Sequence, residues 1–322
     1  MWDIRRACTR PSAVVAGRVA CVRLSGKVID ELMVHPGKPA ALNRRSTSET
    51  RADWLGPIGR SSPKTIAERD LDEFKRDLES AQELLYADDT WALLLIFQAL
   101  DAGGKDGTIK HVMSGVNPQG CGVFSFKQPS SEELRHDFLW RCTKVLPERG
   151  QIGIFNRSYY EEVLVVRVHP ELIATQHLPS GSEAGSRLWQ GRYEDINTFE
   201  HHLHRNGTRV VKFFLHISKE EQRRRLLARL DDPAKQWKFS PADLAERAHF
   251  DEYQQAYEEA LTATSTSWAP WYVVPADQKP AARALVSAIV VNAIDELNLH
   301  TPSVGEEQAR EIEKARKELA AD

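Results

Sequence analysis

Four cysteines in 322 residues, Cys8, Cys21, Cys121 and Cys142, lie far apart and form no CxxC pair, so neither a zinc site nor a disulfide framework is indicated. A reducing, cytoplasmic compartment suits such usage. The longest apolar runs, 91–97 and 285–291, fall far short of the ~20 residues of a membrane-spanning helix, and no membrane association is expected. Charge of one sign is also missing: the formal net charge is -3, so composition offers no case for nucleic acid, and any polyanion site must arise from local clustering. There is no internal repeat. Residues 1–32 open with basic residues, but Arg18 and Arg23 interrupt the apolar stretch and exclude a secretory signal.

What is present is ordinary globular composition, 41% hydrophobic and 28% charged, enough for a sizeable core. Residues 1–60 mix Arg, Ser, Pro and Gly without a period and read as an extended or partly disordered arm. Over 64–86, Leu71, Phe74, Leu78 and Leu85 mark one face of an amphipathic helix. WALLLIFQ (91–98) is a continuous apolar run of strand length, as expected where both faces are buried. Similar runs follow at 122–126, 151–155, 209–216 and 271–274. Helical crossovers fit between them, at 132–146 and 219–230 among others. The pattern predicts a three-layer, doubly wound α/β fold on a parallel five-stranded sheet. Leu285, Ile289, Ala293 and Leu297 indicate a closing helix, and 306–322 a solvated one.

Directly after the first strand comes ALDAGGKDGT (99–108), then a helix start. Backbone N–H groups of Gly103, Gly104, Asp106, Gly107 and Thr108 would line an anion-binding concavity, with Lys105 as point charge. The match to the phosphate-binding pattern is imperfect, since Ala99 replaces the first glycine and Asp106 the hydroxyl residue. A positive φ at Ala99 would strain the turn. The strand GIFNRS (153–158) ends in the polar residues Asn156 and Arg157, and the strand ends of such sheets are where ligands bind. Asn156 is uncharged, so carboxylate for a divalent ion would come from Asp101 and Asp106 within the turn. A basic stretch, EQRRRLLARLDDPAKQWK (221–238), carries Arg223, Arg224, Arg225, Arg229, Lys235 and Lys238 against three acids, as a phosphate-covering lid would. His201, His202 and His204 follow no common metal spacing and are expected to be solvated near a helix end.

These strings together resemble the polyphosphate kinase 2 family, over roughly 33–302: QALDAGGKDGT (98–108), NPQGCGVFSFK (117–127), GIFNRSYYEEVLVVRV (153–168), KFFLHISK (212–219), LDDPAKQWKFSPAD (230–243) and SWAPWYVVPADQK (267–279). The asparagine form NRSYYEE is similar to its class III branch. The resemblance implies a thymidylate-kinase-like P-loop fold with a helical lid at about 219–250, inorganic polyphosphate as donor, AMP and ADP as acceptors, and magnesium. Manganese, the guanine acceptors GMP and GDP, and a homo-oligomer are further expectations. On this reading Asp101, Lys105 and Arg157 act at the transferred phosphate. Asp101 and Asp106 hold the ion, and Gly103, Gly104, Asp106, Gly107, Thr108, Arg223, Arg224, Arg229, Lys235 and Lys238 bind phosphate. Asn156 and Glu161 contact the nucleotide. Residues 61–302 would form the phosphotransferase domain and 303–322 a charged tail. Residues 1–32, upstream of Met33 as an alternative start, are expected to be dispensable. The rival readings are an ATP-dependent nucleoside monophosphate kinase and a non-catalytic nucleotide-binding protein.

Overall fold

The computed structural model describes residues 26–48, 63–179 and 185–321. In chain order the strands are β1 (Met33–Val34), β2 (Ala92–Gln98), β3 (Cys121–Ser125), β4 (Ile152–Asn156), β5 (Thr208–His216) and β6 (Trp271–Pro275). The helices are α1 (Gly26–Leu32), α2 (Pro63–Asp88), α3 (Lys105–Val112), α4 (Trp140–Thr143), α5 (Glu161–Val168), α6 (Ser186–Arg205), α7 (Lys219–Leu230), α8 (Pro241–Ala248), α9 (Phe250–Thr264), α10 (Lys279–Asp295) and α11 (Glu306–Leu319).

The sheet order is β1-β6-β5-β2-β4-β3; β2 to β6 run parallel, and β1 is antiparallel to β6. Every residue of β2 is buried, which is why its sequence shows no alternation. Its odd-numbered residues Leu93, Leu95 and Phe97 join a core with α2, α3 and α10, whereas Leu94 and Ile96 join a second core with α5, α6 and α9. Those two cores make the three layers. Phe74, Leu78 and Leu85 of α2 are buried, and α2 packs on α10; the side chain of Leu71 lies outside the described residues.

The chain winds from β2 out to the edge strand β3, returns to β4 beside β2, then crosses to β5 on the other flank. β2 is therefore the switch point, and the carboxyl ends of β2, β4 and β5 border the crevice there.

The structure departs from the sequence reading in the amino-terminal arm and in one crossover. Residues 26–48, expected within an extended arm, are packed: Val28, Leu32, Val34, Ala40 and Leu42 are buried, and β1 makes the sheet six-stranded by covering the β6 edge. A two-residue strand is too short to carry a periodic signal. Removal of residues 1–32 would thus uncover part of the core. Between β3 and β4 the expected crossover helix is only a 3-10 turn (Glu133–Arg135) and one turn of α4. Ser130 and Glu133 bond each other's backbone N–H, and the Asp137 carboxylate takes the N–H of Leu139, so side chains divert the backbone from a continuous helix. Ala99 lacks a positive φ; the left-handed residues of the turn are Ala102 (φ 60°) and Gly104 (φ 97°).

Candidate active site

The turn leaves β2 at Ala99 and closes with two hydrogen bonds, Gly103 N–H to Leu100 O (2.9 Å) and Thr108 N–H to Gly104 O (2.9 Å). Gly104 caps α3 in a conformation that side chains avoid. Gly103 is required for space: a Cβ there would meet the Ala99 Cβ at 2.5 Å and the Leu100 carbonyl oxygen at 2.8 Å. The methyl that replaces the usual first glycine thus occupies the room a side chain at 103 would need.

Lys105, 9% exposed, donates from Nζ to Ala99 O at 2.7 Å. Burial, then the neighbouring Arg157, lowers its pKa from the ordinary lysine value. A cation so held is costly without an anion and is poised to receive one. Arg157 follows β4; its N–H still bonds Phe97 O of β2 at 3.0 Å, and its φ of 65° puts it in the left-handed region. Its Nη2 donates to Asp101 Oδ1 at 3.1 Å, and Nη1 lies 3.8 Å from Glu161 Oε2. Burial opposes its charge, yet Glu161 and Asp101 raise its pKa above the ordinary value. Glu161, 14% exposed at its side chain, is pushed up by burial, with Arg157 and Lys105 working against that shift. Asn156 Nδ2 donates to Asp106 Oδ1 at 2.7 Å. An aspartate at 156 would set two carboxylates against each other, so the amide orients the acid of the turn.

The lid divides into residues that meet the turn and residues that do not. Arg223 pairs with Glu220, Arg224 with Glu221, and Lys235 with Asp232, all within their own segment. Arg229 Nη1 bonds Asp243 Oδ2 at 2.6 Å and ties α7 to α8. Burial, then the charge of Asp101, raises the pKa of Asp243. The side chain of Lys238 lies outside the described residues. Arg225, counted in the basic stretch but not assigned to the site, is the lid residue that grips the turn. It is 8% exposed; Nη1 donates to Ala102 O (3.1 Å) and Gly103 O (3.0 Å), Nη2 to Ala276 O, and Nε to Glu221 Oε1 (2.6 Å). Gln222 adds a bond to Asp101 O at 3.1 Å. The available signal was the spacing of four between Glu221, Arg225 and Arg229, which shares one helix face.

Next to Glu161 on α5, Glu162 lines a cavity of about 570 Å³ with Phe138, Arg141, Gln176 and Arg192, a volume in the range of small-molecule sites. The histidines at the end of α6 do not gather into a metal site, and among the described residues no group of three His, Cys, Asp or Glu could hold one. His201 and Trp268 are tilted ring neighbours with centroids 4.5 Å apart, as are His204 and Trp91 at 5.9 Å, and His204 is half-buried rather than solvated.

A lysine-bearing glycine turn after the central strand of this largely parallel sheet, gripped from the basic helix α7, defines a P-loop kinase fold. The chain belongs to the polyphosphate kinase 2 family, whose profile, Polyphosphate kinase 2 (PPK2), matches residues 61–302. It is 55% identical over 242 residues to the ADP-polyphosphate phosphotransferase of Rhodopseudomonas palustris, covering 75% of this chain and 84% of that protein. It is 48% identical over 239 residues to the AMP/ADP-polyphosphate phosphotransferase of Meiothermus ruber, covering 74% and 85% respectively. The crystal structure of polyphosphate kinase 2 from Arthrobacter aurescens superposes with a TM-score of 0.81 at 39% identity, over 93% of this chain and 100% of that one.

Proposed function

We propose that this protein transfers a phosphoryl group from inorganic polyphosphate to AMP or ADP, by in-line displacement within the 99–108 turn. The observation that carries the reading is the buried Lys105 ammonium, held on the Ala99 carbonyl and flanked by Arg157 on Asp101. Transfer of this kind needs positioning and charge neutralisation more than covalent chemistry. The attacking phosphate oxygen of AMP or ADP is already ionised near neutral pH, so no general base is required.

Lys105 and the N–H groups of 103–108 take the phosphate being moved, and Arg157 clamps it at the β4 end. Arg223, Arg224, Arg229, Lys235 and Lys238 serve donor oxygens when the lid cations exchange their acid partners for phosphate. Asn156 and Glu161 face the acceptor, and the cavity beside Glu162 has room for its nucleoside. The donor set fits magnesium or manganese: Asp101 and Asp106 flank Lys105, and such ions are commonly held by one or two carboxylates plus substrate oxygens. When bound, the ion neutralises phosphate charge. We assign the catalytic unit to 61–302, the lid to about 219–250 and the tail to 303–322, in a cytoplasmic homo-oligomer; GMP and GDP are further acceptors to be assayed.

The test is an assay of purified protein with magnesium, long-chain polyphosphate and, separately, AMP, ADP, GMP and GDP, with ATP as parallel donor. Nucleotide phosphorylation from polyphosphate is expected, and Lys105→Ala should remove most of it while the melting curve stays cooperative. Wild-type protein that leaves polyphosphate untouched with every acceptor would overturn the reading. Glu161→Ala should relax discrimination between adenine and guanine acceptors.

A further inference from the structure

Three consecutive carbonyls of the turn are held from α7. Gln222 Nε2 donates to Asp101 O at 3.1 Å, and Arg225 Nη1 donates to Ala102 O at 3.1 Å and Gly103 O at 3.0 Å. In a trans peptide the carbonyl and the next N–H point opposite ways, so a carbonyl drawn to α7 turns the N–H that follows it away from α7. Asp101, whose carbonyl Gln222 holds, also carries the carboxylate that takes Arg157 Nη2 on Oδ1 at 3.1 Å. The bond from Gln222 therefore bears on both the Ala102 N–H and the Asp101 side chain.

Gln222 is 2% exposed, and a carboxamide can present either its oxygen or its NH2 to a neighbour. Arg247 decides which. Its Nη1 donates to Gln222 Oε1 at 2.7 Å and to Lys219 O at 2.9 Å. A guanidinium only donates, so the amide oxygen must face Arg247, and the NH2 is left for the Asp101 carbonyl. Arg247 stands on α8, a helix with no buried side chain. Polar contacts hold α8 instead. Arg229 of α7 bonds Asp243 at 2.6 Å; the Tyr253 hydroxyl of α9 donates to Glu246 Oε2 at 2.6 Å, and His169 Nε2, just beyond α5, lies 3.1 Å from the same oxygen. Asp243, Glu246 and Arg247, spaced three and four apart, share one helix face.

We propose that Gln222, oriented by Arg247, is a positioning residue of the transfer: it fixes the 101–102 peptide so that Asp101 meets Arg157 and the turn keeps the shape that receives phosphate. Arg247 acts through Gln222. The proposal rests on the reading of the turn as the phosphate site given above.

The experiment compares wild type with Gln222→Met, Gln222→Glu, Arg247→Met, Arg247→Lys and the Gln222→Met/Arg247→Met double variant, each checked by its melting curve. Methionine only removes the bond to Asp101, whereas glutamate keeps an acceptor for Arg247 and sets an oxygen against the Asp101 carbonyl. With polyphosphate and ADP, kcat should fall roughly tenfold in Gln222→Met and further in Gln222→Glu, with a smaller change in KM. A residue that served the fold alone would give the reverse order, since glutamate retains the Arg247 contact. Arg247→Lys, which still donates, should keep most of the turnover that Arg247→Met loses, and the double variant should lose little more than Gln222→Met alone. Hydrogen exchange over 99–108, read without substrate, should quicken in Gln222→Glu and Arg247→Met while α10 keeps its wild-type rates. Gln222→Glu at least as active as Gln222→Met, additive losses in the double variant, or unchanged exchange in the turn would each overturn the assignment. Should Gln222→Glu fail to fold, the Arg247 variants and their exchange decide it. If wild type leaves polyphosphate untouched, the functional reading fails instead, and exchange still tests the positioning role.

Discussion

At the scale of single residues, the turn is specified by steric exclusion and by where its carbonyls find donors. Gly103→Ala should cost at least about tenfold in kcat/KM, since a methyl at 2.5 Å from the Ala99 Cβ and 2.8 Å from the Leu100 oxygen forces the turn open. Adding Ala99→Gly removes the first clash and leaves the second, so steady-state kinetics should show partial recovery; full recovery would mean that the Leu100 carbonyl yields. Arg225→Lys tests the grip on the turn. One ammonium cannot reproduce a fork that spans Ala102, Gly103, Ala276 and Glu221, so turnover should fall with retention of charge. Turnover equal to wild type would leave Arg225 without a positioning role.

Among elements, the segment that presents Arg157 and Glu161 is anchored from below by a buried polar cluster. Glu200 of α6 accepts hydrogen bonds from Tyr159 (2.8 Å) and Tyr160 (2.9 Å), and Lys212 of β5 reaches Glu200 at 2.5 Å, Tyr160 at 2.9 Å and Thr264 O at 2.7 Å. Both charges are fully buried. Burial raises the pKa of Glu200 and lowers that of Lys212, and each opposes the shift of the other. Lys212→Met should therefore destabilise by about 3 kcal/mol, by leaving a carboxylate buried without its cation. The Lys212→Met/Glu200→Gln double variant should recover much of that loss in urea denaturation. Additive losses in the double variant would show that the two groups do not act as a pair.

For the whole molecule, one contributor to acid stability is a buried imidazole. His216, 5% exposed at the end of β5, has its imidazole pKa pushed down to about 4, chiefly by burial, with Asp277 opposing and Arg45 adding to the shift. Its folded pKa lies below the unfolded one, so the neutral ring's contribution is complete above pH 6.5 and is lost as pH falls toward 4. Over that window this group alone contributes roughly 1.4 kcal/mol per pH unit. His216→Asn should flatten the pH dependence of the urea midpoint by that amount, and parallel curves would refute the assignment. The two ends of the chain should also differ. No side chain of α11 is buried, so deletion from residue 303 onward should leave Tm within about 2 °C. Deletion through residue 32 removes the buried Val28 and Leu32 and should lower Tm by several times that amount.

The parallel strands, the glycine turn, the basic lid and the family were legible in the sequence, because each is written in contiguous residues: an unbroken apolar run, a run of glycines around one lysine, a cluster of arginines. Contacts between distant segments were not. That Arg225 rather than Arg223 or Arg224 meets the turn depends on which face α7 turns toward β2. That Asn156 orients Asp106 depends on β4 lying beside β2. The two-residue β1 and the abbreviated β3–β4 crossover arise from sheet-edge pairing and from local side-chain hydrogen bonds that outweigh helical propensity. Residue order thus determined the elements and the chemistry available to them, whereas the sheet order and helix rotations, set by packing on both faces, decided which charges meet.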